Sequence, residues 1–312
     1  MDRQTKAALK EHVLSPAITM YDFVYSETAE YHGINNLPEE RFMPAAHQIC
    51  LQILQPVADH FRKSIRIVSA YRSPKLNQLL GGAPNSQHLT CQAVDFKVVG
   101  LSLNTVAKWI AEHLDFDILL LEYEDYTDIE HSASWLHVSY NKGANRRLDL
   151  TTEAGLHAVQ LSPNFTLWEM VRSATATARR IYNIPDEAGI ERLRLVCRNI
   201  LQPVRNHFNR PVRVNSGYRS PALNRVLSGA SKSSQHMKCE AVDFEIMGLD
   251  NFDLAQWIAK NLDYDQLILE FYGNNPSDPN DGWVHASFSA KRNRHKDLTI
   301  NKNGTFAGLK PR

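Results

Sequence analysis

The sequence predicts an α+β protein built as two tandem homologous domains, each a mostly antiparallel sheet with helices. Three observations lead there. The first is internal repetition: Ser69-Ala70-Tyr71-Arg72-Ser73-Pro74, Ser86-Gln87-His88, Ala93-Val94-Asp95-Phe96 and Trp135-Leu136-His137 occur in the first half. They return as Ser216-Gly217-Tyr218-Arg219-Ser220-Pro221, Ser234-Gln235-His236, Ala241-Val242-Asp243-Phe244 and Trp283-Val284-His285, offset by 147 and then 148 residues. A period this long marks a domain duplication and not a solenoid. The second is length, since 312 residues suffice for two independent cores. The third is order within each repeat: segments of helical spacing come first and β-branched runs bounded by turn residues follow.

The elements follow in sequence. Repeat one begins near Leu14-Ser15-Pro16 and closes at Asp149-Leu150-Thr151; repeat two runs from Leu161-Ser162-Pro163 to Asp297-Leu298-Thr299. This divides the chain into domains 1–156 and 157–312. The junction from Thr152 to Gln160 has no Pro/Ser/Gly-rich linker, which predicts domains packed against each other. A helix follows Pro38 and Pro185, and Leu54-Gln55-Pro56 and Leu201-Gln202-Pro203 should end or kink it. Strands at Ile65–Val68 and Val212–Val214 lead into the Tyr-Arg-Ser-Pro turns. Short helices at Leu76–Leu80 and Leu223–Leu227 stop at Gly81-Gly82 and Gly229. Strands at Ala93–Val98 and Ala241–Ile246 carry aspartates. Helices at Leu103–Leu114 and Phe252–Leu262 place Trp109 and Trp257 on a buried face. Strands near Ile118–Tyr123 and Leu136–Tyr140, with their counterparts, complete each sheet.

Composition narrows the function classes. The chain is 43% hydrophobic and 22% charged with a formal charge of +1, which predicts no nucleic-acid partner and no global attraction to membranes. No apolar run reaches the ~18 residues of a membrane span, so no membrane insertion is expected. Met1-Asp2-Arg3-Gln4-Thr5-Lys6 lacks the apolar core of a secretory signal, so synthesis without a signal peptide is expected. The four cysteines, Cys50, Cys91, Cys197 and Cys239, read as reduced thiols, two disulfides being the alternative.

Each half holds His-x6-Asp and a later His. His88, Asp95 and His137, and likewise His236, Asp243 and His285, supply two imidazoles and one carboxylate. Three such ligands with a fourth position open suit a catalytic zinc, whereas structural zinc sites lean on cysteine and close all four positions. One His-x6-Asp is a weak signal. Two copies with Tyr-Arg-Ser-Pro upstream and Trp-x-His downstream are a strong one, and predict two zinc ions per chain, one per domain.

These motifs resemble the zinc D-alanyl-D-alanine carboxypeptidase family, which includes cell-wall endopeptidases of bacteriophage lysins and virions. The resemblance covers nearly all of both repeats and implies a D-Ala-D-Ala peptidase, or hedgehog-like, fold. It implies that the six histidines and aspartates bind zinc, and that Arg72 and Arg219 contact substrate and stabilise the polarised carbonyl. Tyr71, Tyr218, Ser86 and Ser234 are expected beside the substrate. The general base departs from the pattern: many members carry Glu three residues before the last His, where this chain has Ser134 and Gly282. The shared acids Glu122 and Glu270 are the candidate bases, with a structural carboxylate as the alternative. Cys91 and Cys239 stand where relatives usually have glycine, and read as small buried residues with a thiolate ligand as the alternative.

Other candidates are His60 and His207, read as structural, and His131, read as solvated in the acidic loop of Glu124, Asp125, Asp128 and Glu130, with a hydrogen bond to substrate in repeat one only as the alternative. The basic runs Lys142, Arg146, Arg147 and Lys291, Arg292, Arg294 read as a solvated edge, or as attraction to an anionic wall polymer. The expected function is zinc-dependent hydrolysis of peptidoglycan peptides by a phage-encoded lysin or virion protein, acting at the bacterial wall or in the phage particle. The competing expectation is a non-catalytic structural or wall-binding virion protein, with other virion proteins as partners, built from a duplicated peptidase fold.

Overall fold

A computed structural model describes residues 2–123, 134–179, 181–273, 275 and 277–311. The chain divides into two compact units, the first ending at Leu156 and the second beginning at His157. No helix among the described residues is long and apolar enough to cross a membrane.

The first unit opens with α1 (Arg3–Glu11), the hairpin β1 (Val13–Ser15) and β2 (Ile18–Thr19), and the short helices α2 (Met20–Val24) and α3 (Glu27–Tyr31). A long helical rod follows, made of α4 (Met43–Ile49), a π-helical turn over Cys50–Leu54, and α5 (Gln55–Phe61). Next come β3 (Ile65–Ser69), α6 (Pro74–Leu79), a 3-10 turn at Gln87–Thr90, β4 (Ala93–Val98) and α7 (Leu103–His113). The strands β5 (Ile118–Tyr123), β6 (Ser134–Ser139) and β7 (Leu148–Asp149) close the unit. Helix α8 (Glu153–Ala158) carries the chain onward.

The second unit begins with the hairpin β8 (Gln160–Ser162) and β9 (Phe165–Thr166), then α9 (Leu167–Val171) and α10 (Ala174–Arg179). Its rod is α11 (Glu187–Val196), a π turn over Cys197–Leu201 and α12 (Gln202–Phe208). There follow β10 (Arg213–Ser216), α13 (Pro221–Val226), a 3-10 turn at Gln235–Lys238, β11 (Ala241–Glu245) and α14 (Asn251–Asn261). The strands β12 (Gln266–Glu270), β13 (Trp283–Ser287), β14 (Lys296–Asn301) and β15 (Gly304–Ala307) finish the chain.

At its internal proline each rod is distorted and not ended. Pro56 and Pro203 do not end the helix. A proline removes one backbone donor and its ring presses on the carbonyl four residues earlier. The π turn lies just before it, where the Gln55 N–H reaches back five residues to the Cys50 carbonyl. That wider turn lets the helix run on. Ala46, Ile49, Cys50, Ile53, Leu54 and Val57 are all buried and recur at 3.6-residue spacing, so one stripe of the rod faces the core. Leu193, Val196, Cys197, Ile200, Leu201 and Val204 repeat the stripe.

The sheets run β3-β4-β6-β5-β7 and β10-β11-β13-β12-β14-β15. Every pairing is antiparallel except β5 with β7 and β12 with β14. Because strand residues alternate between faces, Val94, Phe96, Leu136 and Val138 share one face and bury it. Helix α7 packs against β4, β5 and β6, with Val106, Ala107 and Ile110 buried along it. The opposite face carries the polar residues.

Candidate metal centres

Register places the site. Asp95 on β4 stands directly opposite His137 on β6, and Ser69 on β3 stands opposite Asp95, so all three share the face away from α7. His137 pairs with Leu120 on β5, and Trp135, two residues earlier, pairs with Glu122. Glu122 is therefore a diagonal neighbour of His137 on that same face, the geometry in which Cβ atoms lie ~7–8 Å apart. The second unit repeats the row as Ser216, Asp243, His285 and Ile268, with Glu270 opposite Trp283.

His88 and His236 arrive from the 3-10 turns. Ser86 and Ser234 start those turns by accepting from the His88 and His236 amides. His88 Nδ1 lies 2.6 Å from the Ala70 carbonyl and His236 Nδ1 2.6 Å from that of Gly217. A carbonyl only accepts, so each Nδ1 carries the proton and each Nε2 presents a lone pair inward.

In the second unit His236 Nε2 lies 3.1 Å from Asp243 Oδ1 and 3.2 Å from His285 Nδ1, and His285 Nδ1 lies 2.8 Å from that same Oδ1. In the first, His88 Nε2 and His137 Nδ1 lie 3.4 and 2.8 Å from Asp95 Oδ1. A tetrahedral ion with ~2.0–2.1 Å bonds spaces its ligand atoms by ~3.3 Å, close to these edges. Each trio converges acceptor atoms that cannot all be satisfied by the protons present, and a cation resolves that conflict. The donor set therefore fits a zinc ion in each unit. Within either group all ligand atoms lie within 4.8 Å of one another.

Electrostatics prepares the same ligands. Burial lowers the pKa of His88 and His236 and keeps the imidazoles neutral. Burial alone would raise Asp95 and Asp243, but the neighbouring histidines, joined at Asp95 by the Arg72 charge, outweigh it and hold both carboxyls well below the usual range.

Arg72 and Arg219 belong to these clusters. Arg72 gives Nε to Ser69 Oγ at 2.8 Å and Nη2 to Asp95 Oδ2 at 2.5 Å. Arg219 repeats this with Ser216 Oγ at 2.8 Å and with Asp243 Oδ2. Each guanidinium thus holds the aspartate by one oxygen and leaves the other for the histidines. Asn36 and Asn183 hold the turns that bear these arginines. The Asn36 side chain donates to the Val24 and Tyr71 carbonyls and accepts from the Ser73 amide, and Asn183 does the same with Val171, Tyr218 and Ser220.

Glu122 accepts from the Trp135 indole at 2.9 Å. Trp283 stands opposite Glu270, but among the described residues its buried indole N–H makes no hydrogen bond of normal geometry. Burial, followed by the Asp243 charge, raises the Glu270 pKa. A glutamate at Gly282, where the resemblance implies one in many members, would be strained. The Gly282 φ is +71° and a Cβ would sit 2.0 Å from the Glu270 carbonyl oxygen.

Tyr71 and Tyr218 are buried, and burial raises both phenols. Ser86 is buried too, and the Ser86 and Ser234 hydroxyls cap the turns, so these two serines have a scaffolding part. Cys91 and Cys239 lie outside both ligand groups, and burial pushes the Cys91 thiol up to about 12 and Cys239 further. Both have left-handed backbones, φ +59° and +60°, which explains why glycine suits the position. All four cysteines are free and buried. His60 and His207 stack on half-buried Trp109 and Trp257, with ring centroids 4.3 Å apart in each case. Both basic runs are exposed, as a solvated edge requires, but Arg146 and Arg294 each also pair with a buried aspartate, Asp117 or Asp265, that composition did not single out. His131 and the acidic loop 124–130 lie outside the described residues.

No curated protein sequence matches this chain. The Peptidase M15 family, whose members are zinc-dependent, matches it twice, over residues 17–130 and 163–275. Those two spans cover each histidine–aspartate pair and both candidate glutamates, and together most of the chain, which therefore belongs to the Peptidase M15 family as a tandem duplication.

Proposed function

We propose that each unit hydrolyses peptide bonds in peptidoglycan as a zinc peptidase, and that the chain is a phage-encoded lysin or virion component. The observation that carries this reading is the duplicated face on which two histidines, an aspartate, an arginine and a glutamate converge. A zinc ion in such a site supplies Lewis-acid polarisation of a carbonyl and lowers the pKa of water toward ~7.

The chain's own residues do the rest. His88, Asp95 and His137, with His236, Asp243 and His285, hold the ion, one per unit. Arg72 and Arg219 fix the aspartate and present a permanent cation where negative charge develops on the scissile carbonyl oxygen. Glu122 and Glu270 take a proton from the attacking water and deliver it to the leaving amine. The raised pKa of Glu270 moves it toward neutrality, as a general base at pH 7 requires.

A second reading, binding to the wall without cleavage, is favoured by the Trp135 hydrogen bond on Glu122 and by Gly282, where the usual glutamate would be strained. Incubation of the zinc-loaded protein with purified sacculi separates the two. Release of new amino termini, abolished in a His137→Ala/His285→Ala variant, supports hydrolysis. Sacculus binding with no released termini sinks it and leaves the binding reading.

A further inference from the structure

Each unit contains a second buried constellation outside the ligand group. Asp117 immediately precedes β5, is 1% exposed, and its carboxylate accepts four hydrogen bonds. Oδ1 receives the Arg146 amide at 3.0 Å and Arg146 Nε at 2.6 Å. Oδ2 receives Arg146 Nη2 at 2.6 Å and Gln87 Nε2 at 2.9 Å. Asp265 repeats the pattern with the Arg294 amide at 3.2 Å, Nε at 2.7 Å, Nη2 at 2.5 Å and Gln235 Nε2 at 2.9 Å.

The position of this carboxylate joins the two histidine-bearing segments. Gln87 and Gln235 immediately precede His88 and His236 on the 3-10 turns. The Asp117 amide donates to the Ser139 carbonyl at 2.8 Å and the Ile118 amide to Ser139 Oγ at 3.1 Å. Ser139 lies two residues beyond His137 on β6. Asp265 and Gln266 make the same two bonds to Ser287, at 2.8 and 2.9 Å. Arg146 and Arg294 approach from the segments that lead into β7 and β14, so three segments meet on one carboxylate.

The glutamine is the informative member. Gln235 Oε1 is buried with no hydrogen-bond partner among the described residues. A buried amide kept with its acceptor unpaired is held for what its N–H donates. The bond recurs in both units at the same 2.9 Å length.

We propose that Gln87–Asp117–Arg146 and Gln235–Asp265–Arg294 are positioning residues that fix the distance between the two metal-binding histidines of each unit. The inference rests on the zinc reading above. The carboxylate, saturated by the arginine fork, is a rigid anchor on the strand pair. The glutamine transfers that rigidity to the turn bearing the first histidine. Groups that orient ligands without touching the ion typically change metal affinity ~10- to 100-fold when removed.

The test uses the full chain with both glutamines replaced, Gln87→Met/Gln235→Met, which keeps length and leaves each Asp–Arg pair intact. Zinc affinity is read by competition with a chromophoric chelator, cobalt coordination by visible absorption of the Co2+-loaded protein, and metal-free stability by thermal melting. The expected result is zinc affinity ~10- to 100-fold weaker and an altered cobalt spectrum at an unchanged metal-free melting temperature. Should that variant fail to fold, Arg146→Lys/Arg294→Lys, which keeps the charge but loses the fork, is expected to show the same loss to a smaller degree. Wild-type zinc affinity and cobalt spectrum in the variants overturn the proposal, as does a loss fully matched by lower metal-free stability. Absence of zinc binding by the wild-type chain instead defeats the zinc reading itself.

Discussion

Replacing both site arginines by lysine, Arg72→Lys/Arg219→Lys, separates a shaped cation from a mere charge. Arginine spans two acceptors at once: Nε to the serine hydroxyl at 2.8 Å in each unit, and Nη2 to the outer oxygen of the metal-binding aspartate. A lysine ammonium keeps the charge, but one nitrogen cannot hold both partners or present a planar edge to the substrate. A hydrogen bond to a charged group contributes ~1.5–3 kcal/mol. At ~1.36 kcal/mol per factor of ten, losing it should lower kcat/KM ~10- to 150-fold. Both arginines are changed together so that one intact unit does not mask the other. Turnover on purified sacculi is normalised to bound zinc measured in the same sample. Ser69→Ala/Ser216→Ala, which removes one arm of the fork and keeps the bond to the aspartate, should cost less than the double lysine variant. Full turnover at full zinc occupancy in the double lysine variant would refute the argument, because the fork would then do nothing beyond supplying charge.

Three further outcomes follow from the geometry. Glu122→Gln/Glu270→Gln should retain zinc yet lower hydrolysis by ~10²-fold or more, checked by elemental analysis beside turnover; undiminished turnover would remove both carboxylates from proton transfer. Gly282→Glu should lower the melting temperature of the second unit by ~4–10 °C, since the new Cβ meets the Glu270 carbonyl at a left-handed backbone, and calorimetry showing no change would mean the backbone relaxes freely. Arg146 and Gln87 outweigh the burial that would raise Asp117, and Arg294 chiefly depresses Asp265, so both folded pKa values lie below the unfolded ~3.9. Their contribution to stability is present above that pH and is lost as pH falls through the folded values, so Asp117→Asn/Asp265→Asn should be destabilised at pH 7 and much less so near pH 2. An equal difference at both pH values in denaturant melts would contradict the linkage.

The sequence displayed its ligands because they sit in short motifs that the duplication prints twice. His88 and Asp95 are seven residues apart, and the same spacing returns at His236 and Asp243. Helix α7 was legible from its 3.6-residue stripe, and the sheet from its β-branched runs. The partners of long-range pairs were not. Arg146 reads as one member of a basic run because nothing local marks Asp117, 29 residues earlier, as its partner. Glu122 can be placed toward the site from sequence only because its strand is expected to pair with the Trp-x-His strand, as β5 does with β6. Pro56 marks the distorted point but not its outcome: propensity allows an end or a kink, and the buried stripe on both sides holds the rod together while the π turn absorbs the ring. Cys91 likewise hides a left-handed backbone that only glycine would have announced.

Zinc stoichiometry tests the central claim most directly. Protein purified without chelators and analysed for metal against amino-acid content should hold two zinc ions per chain. His137→Ala and His285→Ala should each remove one, and together both. No zinc, or zinc unaffected by either substitution, would contradict the assignment of the two centres.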